Sequence, residues 1–318
     1  MSSARDISHQ VDIGKFKNAE DGAFKRAPSS FRDAISAAPG AKYAPESGRY
    51  HLYVSYACPW ATRTLIVRKL KGLEQHIGVT VVSPRMGSNG WPLGDVDAFP
   101  GADKDPYEGA QHIKDLYLKV EPEFTVPVLW DTKTKSIVNN ESSEIIRMLN
   151  TEFNAIIPAD KASVDLYPEH LRKEIDGVNE WVYDTVNNGV YRSGFATTPE
   201  AYTAAVTALF KSLDRLEGML KGKDYVVGDV LTEADVRLFV TIIRFDPVYV
   251  GHFKCNLRTI RDGYPELNRW MKNLYWNNNA FQSTTNFDHI KTHYYWSHPH
   301  INPTRIVPLG PEPHIQPL

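Results

Sequence analysis

Of the two cysteines in this chain, Cys58 has surroundings that could make it reactive. It stands where a short apolar strand, His51–Leu52–Tyr53–Val54, gives way to a run from Ala61 to Leu73 that reads as a helix. A cysteine at a helix start faces unpaired backbone N–H groups and the positive end of the helix dipole, and both favour the thiolate. A thiol with a pKa near 8.5 is about 3% ionised at pH 7, whereas one lowered to about 6 is about 90% ionised. Pro59 suits the first helical turn, where a missing N–H costs nothing. Ala61 occupies the position that would complete a Cys-x-x-Cys redox pair. A single thiol cannot close an internal disulfide, so its partner must come from outside. That is monothiol chemistry with a small thiol such as glutathione. The competing role is a small buried hydrophobe. Cys255, between Lys254 and Asn256, has neither a cysteine neighbour nor a helix-start signature.

The elements around Cys58 follow from period and punctuation. Residues 1–48 are polar, broken by Pro28, Pro39 and Pro45, and read as an irregular arm anchored on the body by Phe16, Phe24 and Phe31. After the first helix comes a β-branched strand, Ile77–Val82, ended by Pro84. A long insertion over 84–124 follows, holding Gly87–Ser88–Asn89–Gly90–Trp91; Trp91 either anchors this loop or lines a pocket. The third strand reads as Thr125–Trp130, with Pro127 expected at its start or at a bend and a cis peptide before it. Lys133–Thr134–Lys135 turn into Ser136–Ile137–Val138, and Glu141–Ser142 open a helix carrying Ile145, Ile146, Met148 and Leu149. Strand–helix–strand followed by hairpin–helix is the thioredoxin-type α/β sandwich. A linker near 151–166 leads to helices near 167–187, 199–220, 232–243, 264–276 and 286–293, with Thr232–Glu233–Ala234–Asp235 as a structural capping box. The expected division is therefore arm 1–48, thioredoxin-like domain 49–152, all-α domain 166–295 and a proline-rich, extended tail 296–318.

In this topology the residue before the bend proline comes close to the first helix start. Val126 would offer its backbone to an extended peptide as an added strand does. Glu141 and Ser142 would meet the ammonium and carboxylate of that peptide. A tripeptide with a γ-glutamyl end and a thiol fits all three, and that tripeptide is glutathione.

Here the sequence resembles the glutathione transferase superfamily, and within it the glutathionyl-hydroquinone reductases, or Xi class. The resemblance is carried by Cys-Pro-Trp-Ala at 58–61, Ser-Asn-Gly-Trp at 88–91, Thr-Val-Pro-Val-Leu-Trp-Asp at 125–131 and Asn-Asn-Glu-Ser-Ser-Glu-Ile-Ile-Arg at 139–147. The second half adds Asn-Asn-Gly-Val-Tyr at 187–191, Phe-Asp-Pro-Val-Tyr at 245–249, His-Tyr-Tyr-Trp-Ser-His at 293–298 and Ile-Asn-Pro at 301–303. It implies reduction of a glutathionyl-hydroquinone by glutathione through a Cys58–glutathione mixed disulfide. It also implies that Trp91, Val126, Glu141 and Ser142 hold glutathione, while Tyr191, Tyr249 and Tyr294 or Tyr295 line an aromatic pocket and one phenol protonates the departing ring. A homodimer is implied as well. One departure stands out: the family's Arg just before the Thr-Val-Pro-Val strand has no counterpart in Val120–Glu121–Pro122–Glu123–Phe124. Either Arg85 or Lys119 replaces it, or glutathione is held differently.

Composition narrows the remaining choices. A net charge of −2 over 318 residues gives no reason to expect nucleic acid or an anionic membrane as partner. Two cysteines exclude a disulfide scaffold and suit a reducing compartment. No apolar run reaches bilayer length, and the first residues lack a signal-like apolar core, so a cytoplasmic protein is expected. No metal is expected. Two alternatives remain: an omega-like thioltransferase or dehydroascorbate reductase, and a non-catalytic binder of aromatic compounds on the same fold.

Overall fold

A computed structural model describes residues 21–26, 28–117 and 125–318. Phe16, Lys119 and the segment 120–124 lie outside the described residues. Four strands form one mixed sheet in the order β2-β1-β3-β4, with β1 Tyr50–Val54, β2 Ile77–Val81, β3 Val128–Asp131 and β4 Ser136–Asn139. β1 runs parallel to β2 and antiparallel to β3, and β3 pairs antiparallel with β4. All five residues of β1 are buried, including His51, whose Nε2 lies 2.7 Å from Thr80 Oγ1, so the central strand is covered on both faces. The helix Pro59–Leu70 crosses from β1 to β2, and the helix Ser142–Thr151 packs beside it. This is the expected thioredoxin-like layer, and the glutathione transferase fold is completed by the helical half.

β3 is shorter than expected. It starts at Val128 rather than Thr125, because Pro127 brings no N–H to the ladder. The Val126–Pro127 peptide is cis, as the sequence reading expects. The first helix also shifts, opening at Pro59 and ending at Leu70.

The insertion after β2 is ordered by its own hydrogen bonds over its described part. Asp103 receives the Val81 amide on Oδ2 at 2.8 Å and donates its own amide to the Val81 carbonyl at 2.7 Å, which closes the end of the edge strand. Two short helical turns, Gly94–Asp97 and Ile113–Tyr117, sit within it. Its start is tied to the last helix: His293 Nδ1 and Ser297 Oγ both donate to the Pro84 carbonyl, at 3.1 and 3.0 Å. A loop read from the sequence only as long and turn-rich thus bridges the sheet to the far end of the chain.

In the helical half, Arg172–Val182, Pro199–Met219, Glu233–Ile242, Pro265–Asn277 and Phe287–Ser297 correspond to the expected segments. Thr232 and Asp235 form the capping box, and Asp235 also receives Trp270 Nε1–H at 3.0 Å. The expected helix near 167–187 ends in a π-helical turn, Tyr183–Asn187, and a second such turn, Phe245–Tyr249, and a short helix Gly189–Gly194 are additions that helical periodicity did not show. The last helix runs to Ser297, four residues past its expected end. Beyond it the chain is irregular and docks on its own helices: Trp276 Nε1 donates to the Gln316 carbonyl at 2.9 Å, and Lys291 Nζ to that of Leu309 at 2.6 Å. Among the described residues no helix is long and apolar enough to cross a membrane.

The start of β1 and the end of β3 are joined by a buried ion pair. The Arg49 guanidinium grips Asp131 with two bonds of 2.9 and 2.7 Å, and neither side chain is more than 8% exposed. Removing one partner strands a buried charge. Asp131→Ala is expected to lower unfolding free energy by about 3–5 kcal/mol, read from the urea midpoint at unchanged slope. A loss below about 1 kcal/mol would mean that water compensates the guanidinium.

Candidate active site

Cys58 is the N-cap residue of the helix Pro59–Leu70, in extended backbone conformation, and its thiol donates to the Val126 carbonyl at 3.4 Å. The β1–helix turn and the residue before the bend proline therefore meet, as the topology requires. Burial pushes the Cys58 thiol up. The Ala61 amide, the Arg244 charge, the Trp60 amide and the Arg26 charge pull it back without overcoming that cost. The direction is opposite to the one expected from the helix end alone: Cys58 is only partly exposed, and burial costs the thiolate more than the helix end returns. Alkylation of the ligand-free protein by iodoacetamide should accordingly rise with pH through a midpoint above about 8.5, the ordinary cysteine value. A midpoint near 6 would reinstate the helix-end reading.

Glu141 caps the helix Ser142–Thr151, accepting from the Ser143 amide at 3.0 Å and from the hydroxyls of Ser143 and Ser29 at 2.9 and 3.1 Å. Burial raises its pKa, but the Ser143 donors, the Arg63 charge and Ser29 outweigh it, so Glu141 stays ionised below the usual carboxylate range. Ser142 is buried and accepts from Arg63 Nη1 at 3.3 Å. Arg63 itself is buried, with its Nε unpartnered. Trp91 is buried and stacks on His293 with ring centroids 4.4 Å apart, a contact that anchors the loop on the last helix. Arg85 lies over the rings of Phe99 and Trp296, at 5.0 and 5.9 Å.

Three of the four candidate tyrosines meet at their hydroxyls. Tyr294 Oη lies 2.5 Å from that of Tyr191 and 3.0 Å from that of Tyr249. Tyr191 is the outermost of the three, at 9% exposed. Burial raises all three pKa values, that of Tyr249 to about 12, so each phenol keeps its proton at neutral pH. Tyr295 stands apart: its hydroxyl points to the Pro247 carbonyl at 3.5 Å. Tyr191 also faces Trp60, with ring centroids 5.1 Å apart, which joins the chain of phenols to the Cys58 helix.

Phe24, expected as an anchor of the arm, packs against Tyr191 and Phe195. Sequence reading missed other neighbours. Arg26 lies 3.8 Å over the Trp60 ring and bonds the Asn188 side chain at 3.0 Å. An arm residue gives no local signal of where it lands. The histidines were missed too. Burial pushes His252 down to about 3 and His293 to about 4, so both are neutral, and the His252 Nε2 and His298 Nδ1 atoms are 3.0 Å apart. Among the described residues no group of three or more His, Cys, Asp or Glu side chains could hold a metal ion.

Comparison with known proteins gives the family. Residues 57–152 match the glutathione S-transferase N-terminal domain family and residues 199–273 its C-terminal domain family. The chain is 56% identical to glutathione S-transferase omega-like 2 of Schizosaccharomyces pombe, covering 94% of this chain and 96% of that one. It is 51% identical to glutathionyl-hydroquinone reductase YqjG of Escherichia coli over 92% of each chain. The glutathione-bound structure of YqjG superposes with a TM-score of 0.85 at 49% identity, covering 91% of this chain and 95% of that one. The glutathione-S-transferase Xi of Phanerochaete chrysosporium superposes with a TM-score of 0.94 at 71% identity, covering 97% and 99%. With a cysteine at the helix start, a buried chain of tyrosines beside it and these relatives over nearly its whole length, the chain belongs to the Xi-class glutathione transferases, the family of the glutathionyl-hydroquinone reductases.

Proposed function

We propose that this protein reduces glutathionyl-hydroquinones to hydroquinones at the expense of glutathione. The observation that carries the reading is the meeting of one thiol, Cys58, with the Val126 backbone on one side and the Tyr191–Tyr294–Tyr249 hydroxyl chain beyond Trp60 on the other. The Cys58 thiolate attacks the thioether sulfur of the substrate. A sulfur–sulfur bond forms, the ring carbon–sulfur bond breaks, and the ring carbon takes the electron pair and a proton. The product is hydroquinone, with Cys58 held as a mixed disulfide with glutathione. A second glutathione gives up its thiol proton and attacks that disulfide, which releases oxidised glutathione and the Cys58 thiolate. A raised thiol pKa lowers the thiolate fraction but leaves a stronger nucleophile.

Glutathione is the co-substrate, and no metal takes part in these steps. The Val126 backbone, Glu141, Ser142 and Trp91 are the groups we assign to holding it. Tyr191, Tyr294 and Tyr249 are assigned to the aromatic side, with Tyr191 as donor and the other two behind it. Tyr295 is kept as a pocket residue whose hydroxyl is turned to the Pro247 carbonyl and away from the chain. The division into 49–152 and 166–295, flanked by arm and tail, is the reading we retain for the domains.

The test is a panel of glutathionylated aromatics assayed for hydroquinone and oxidised glutathione, with wild type and Cys58→Ser. Turnover of a simple glutathione mixed disulfide with no activity on the panel would move the protein to the omega-like reading. Binding of aromatics without turnover would make it a non-catalytic binder. A homodimer acting in the cytoplasm completes the proposal, with exposed Ile306 and Leu309 on the tail available to a second copy. Sedimentation at micromolar concentration should give twice the chain mass, and a monomer there would overturn it.

A further inference from the structure

We propose that Arg244 is the positioning residue for Cys58, a buried guanidinium that clamps the turn carrying the thiol and whose charge favours the thiolate. Arg244 is completely buried, just after the helix Glu233–Ile242. Nε donates to the Ala57 carbonyl at 3.1 Å, Nη2 to the Tyr56 carbonyl and Thr62 Oγ1 at 2.8 Å each, and Nη1 to the Val240 carbonyl at 2.6 Å. Three of these four acceptors lie within four residues of Cys58, on both sides of it. The clamp crosses from the helical half into the thioredoxin-like half at the one turn that must hold the nucleophile.

The acceptors are all neutral. Arg244 joins none of the ion pairs among the described residues, whereas Arg49, also buried, is matched by Asp131. A buried cation without a counter-ion costs several kcal/mol, so its retention calls for a charge that appears during function. A thiolate at Cys58 is that charge. Arg26 also acts on Cys58, but it stands on the arm and over an aromatic face; Arg63, Tyr191 and Tyr249 are the other titratable groups that act with the thiol. Arg244 alone both fixes the turn and pulls on the sulfur.

This inference rests on Cys58 being the nucleophile, and its test reads the thiol directly, independent of any aromatic substrate. The rate of Cys58 carboxamidomethylation by iodoacetamide is followed against pH in wild type, Arg244→Lys and Arg244→Gln, with each cysteine resolved by mass spectrometry. Cys255 is fully buried and reports on the fold, since it reacts only when the protein opens. The expected result is a midpoint raised by about one pH unit in Arg244→Gln, about a tenfold smaller thiolate fraction at neutral pH, with Arg244→Lys between the two and Cys255 protected throughout. Unchanged midpoints in folded variants would overturn the proposal. So would alkylation of Cys255 in both variants, which would make Arg244 a fold-holding residue only.

Discussion

Cys58→Ser is expected to lose reductase activity by about 1,000-fold or more, equivalent to at least about 4 kcal/mol in the barrier. A serine hydroxyl remains protonated at neutral pH and cannot form the sulfur–sulfur bond on which both half-reactions depend. Cys255→Ser is expected to turn over like wild type. Cys255 is fully buried, burial pushes its thiol up to about 12, and its hydrogen goes to the Phe253 carbonyl at 3.7 Å. It has neither thiolate character nor access. Activity on a glutathionyl-hydroquinone, with circular dichroism as a check on folding, measures both variants. Near-complete inactivation by a folded Cys255→Ser would end the monothiol mechanism.

The second large effect is expected at the tyrosines. Breaking the ring–sulfur bond leaves carbanion character on an electron-rich ring, so a proton donor speeds that step. Tyr191→Phe removes the outermost hydroxyl of the chain and keeps the aromatic face. It should lower kcat about 10-fold to 1,000-fold, or roughly 1.4–4 kcal/mol, with little change in glutathione affinity. Tyr294→Phe breaks the links to both partners and should fall in the same range, whereas Tyr249→Phe removes only the far end and should cost less. Tyr295→Phe should stay near wild type, because that hydroxyl faces the Pro247 carbonyl at 3.5 Å and not the chain. If Tyr191→Phe, Tyr294→Phe and Tyr249→Phe all keep wild-type kcat, the proton comes from water and the three phenols only shape the pocket.

The contrast between Tyr294 and Tyr295 marks where sequence reading stops. Adjacent residues on a helix point about 100° apart, so one faces the centre of the site and the other its flank. The motif containing both cannot say which. The same holds for the charge on Cys58. Strand, Cys-Pro and helix are local features, and they correctly place the thiol at a helix N-terminus and Val126 within reach of it. Whether the thiol is raised or lowered depends on how much water the rest of the chain excludes, and residues as distant in sequence as Arg26 and Arg244 only offset part of that.

By itself the sequence determined the order of elements, the thioredoxin-like layer, the helical half, the place of Cys58 at a helix start and of Glu141 and Ser142 at the start of the next. Each follows from short-range periods, prolines and caps, which act within a few residues. Only the tertiary structure decided that the insertion bridges the sheet to the last helix, that Trp91 stacks on His293, that three tyrosine hydroxyls form one chain, and that a buried arginine from the helical half grips the Cys58 turn. These are contacts between segments far apart in the chain, and burial and charge at such meetings depend on the assembled core, which no local pattern encodes.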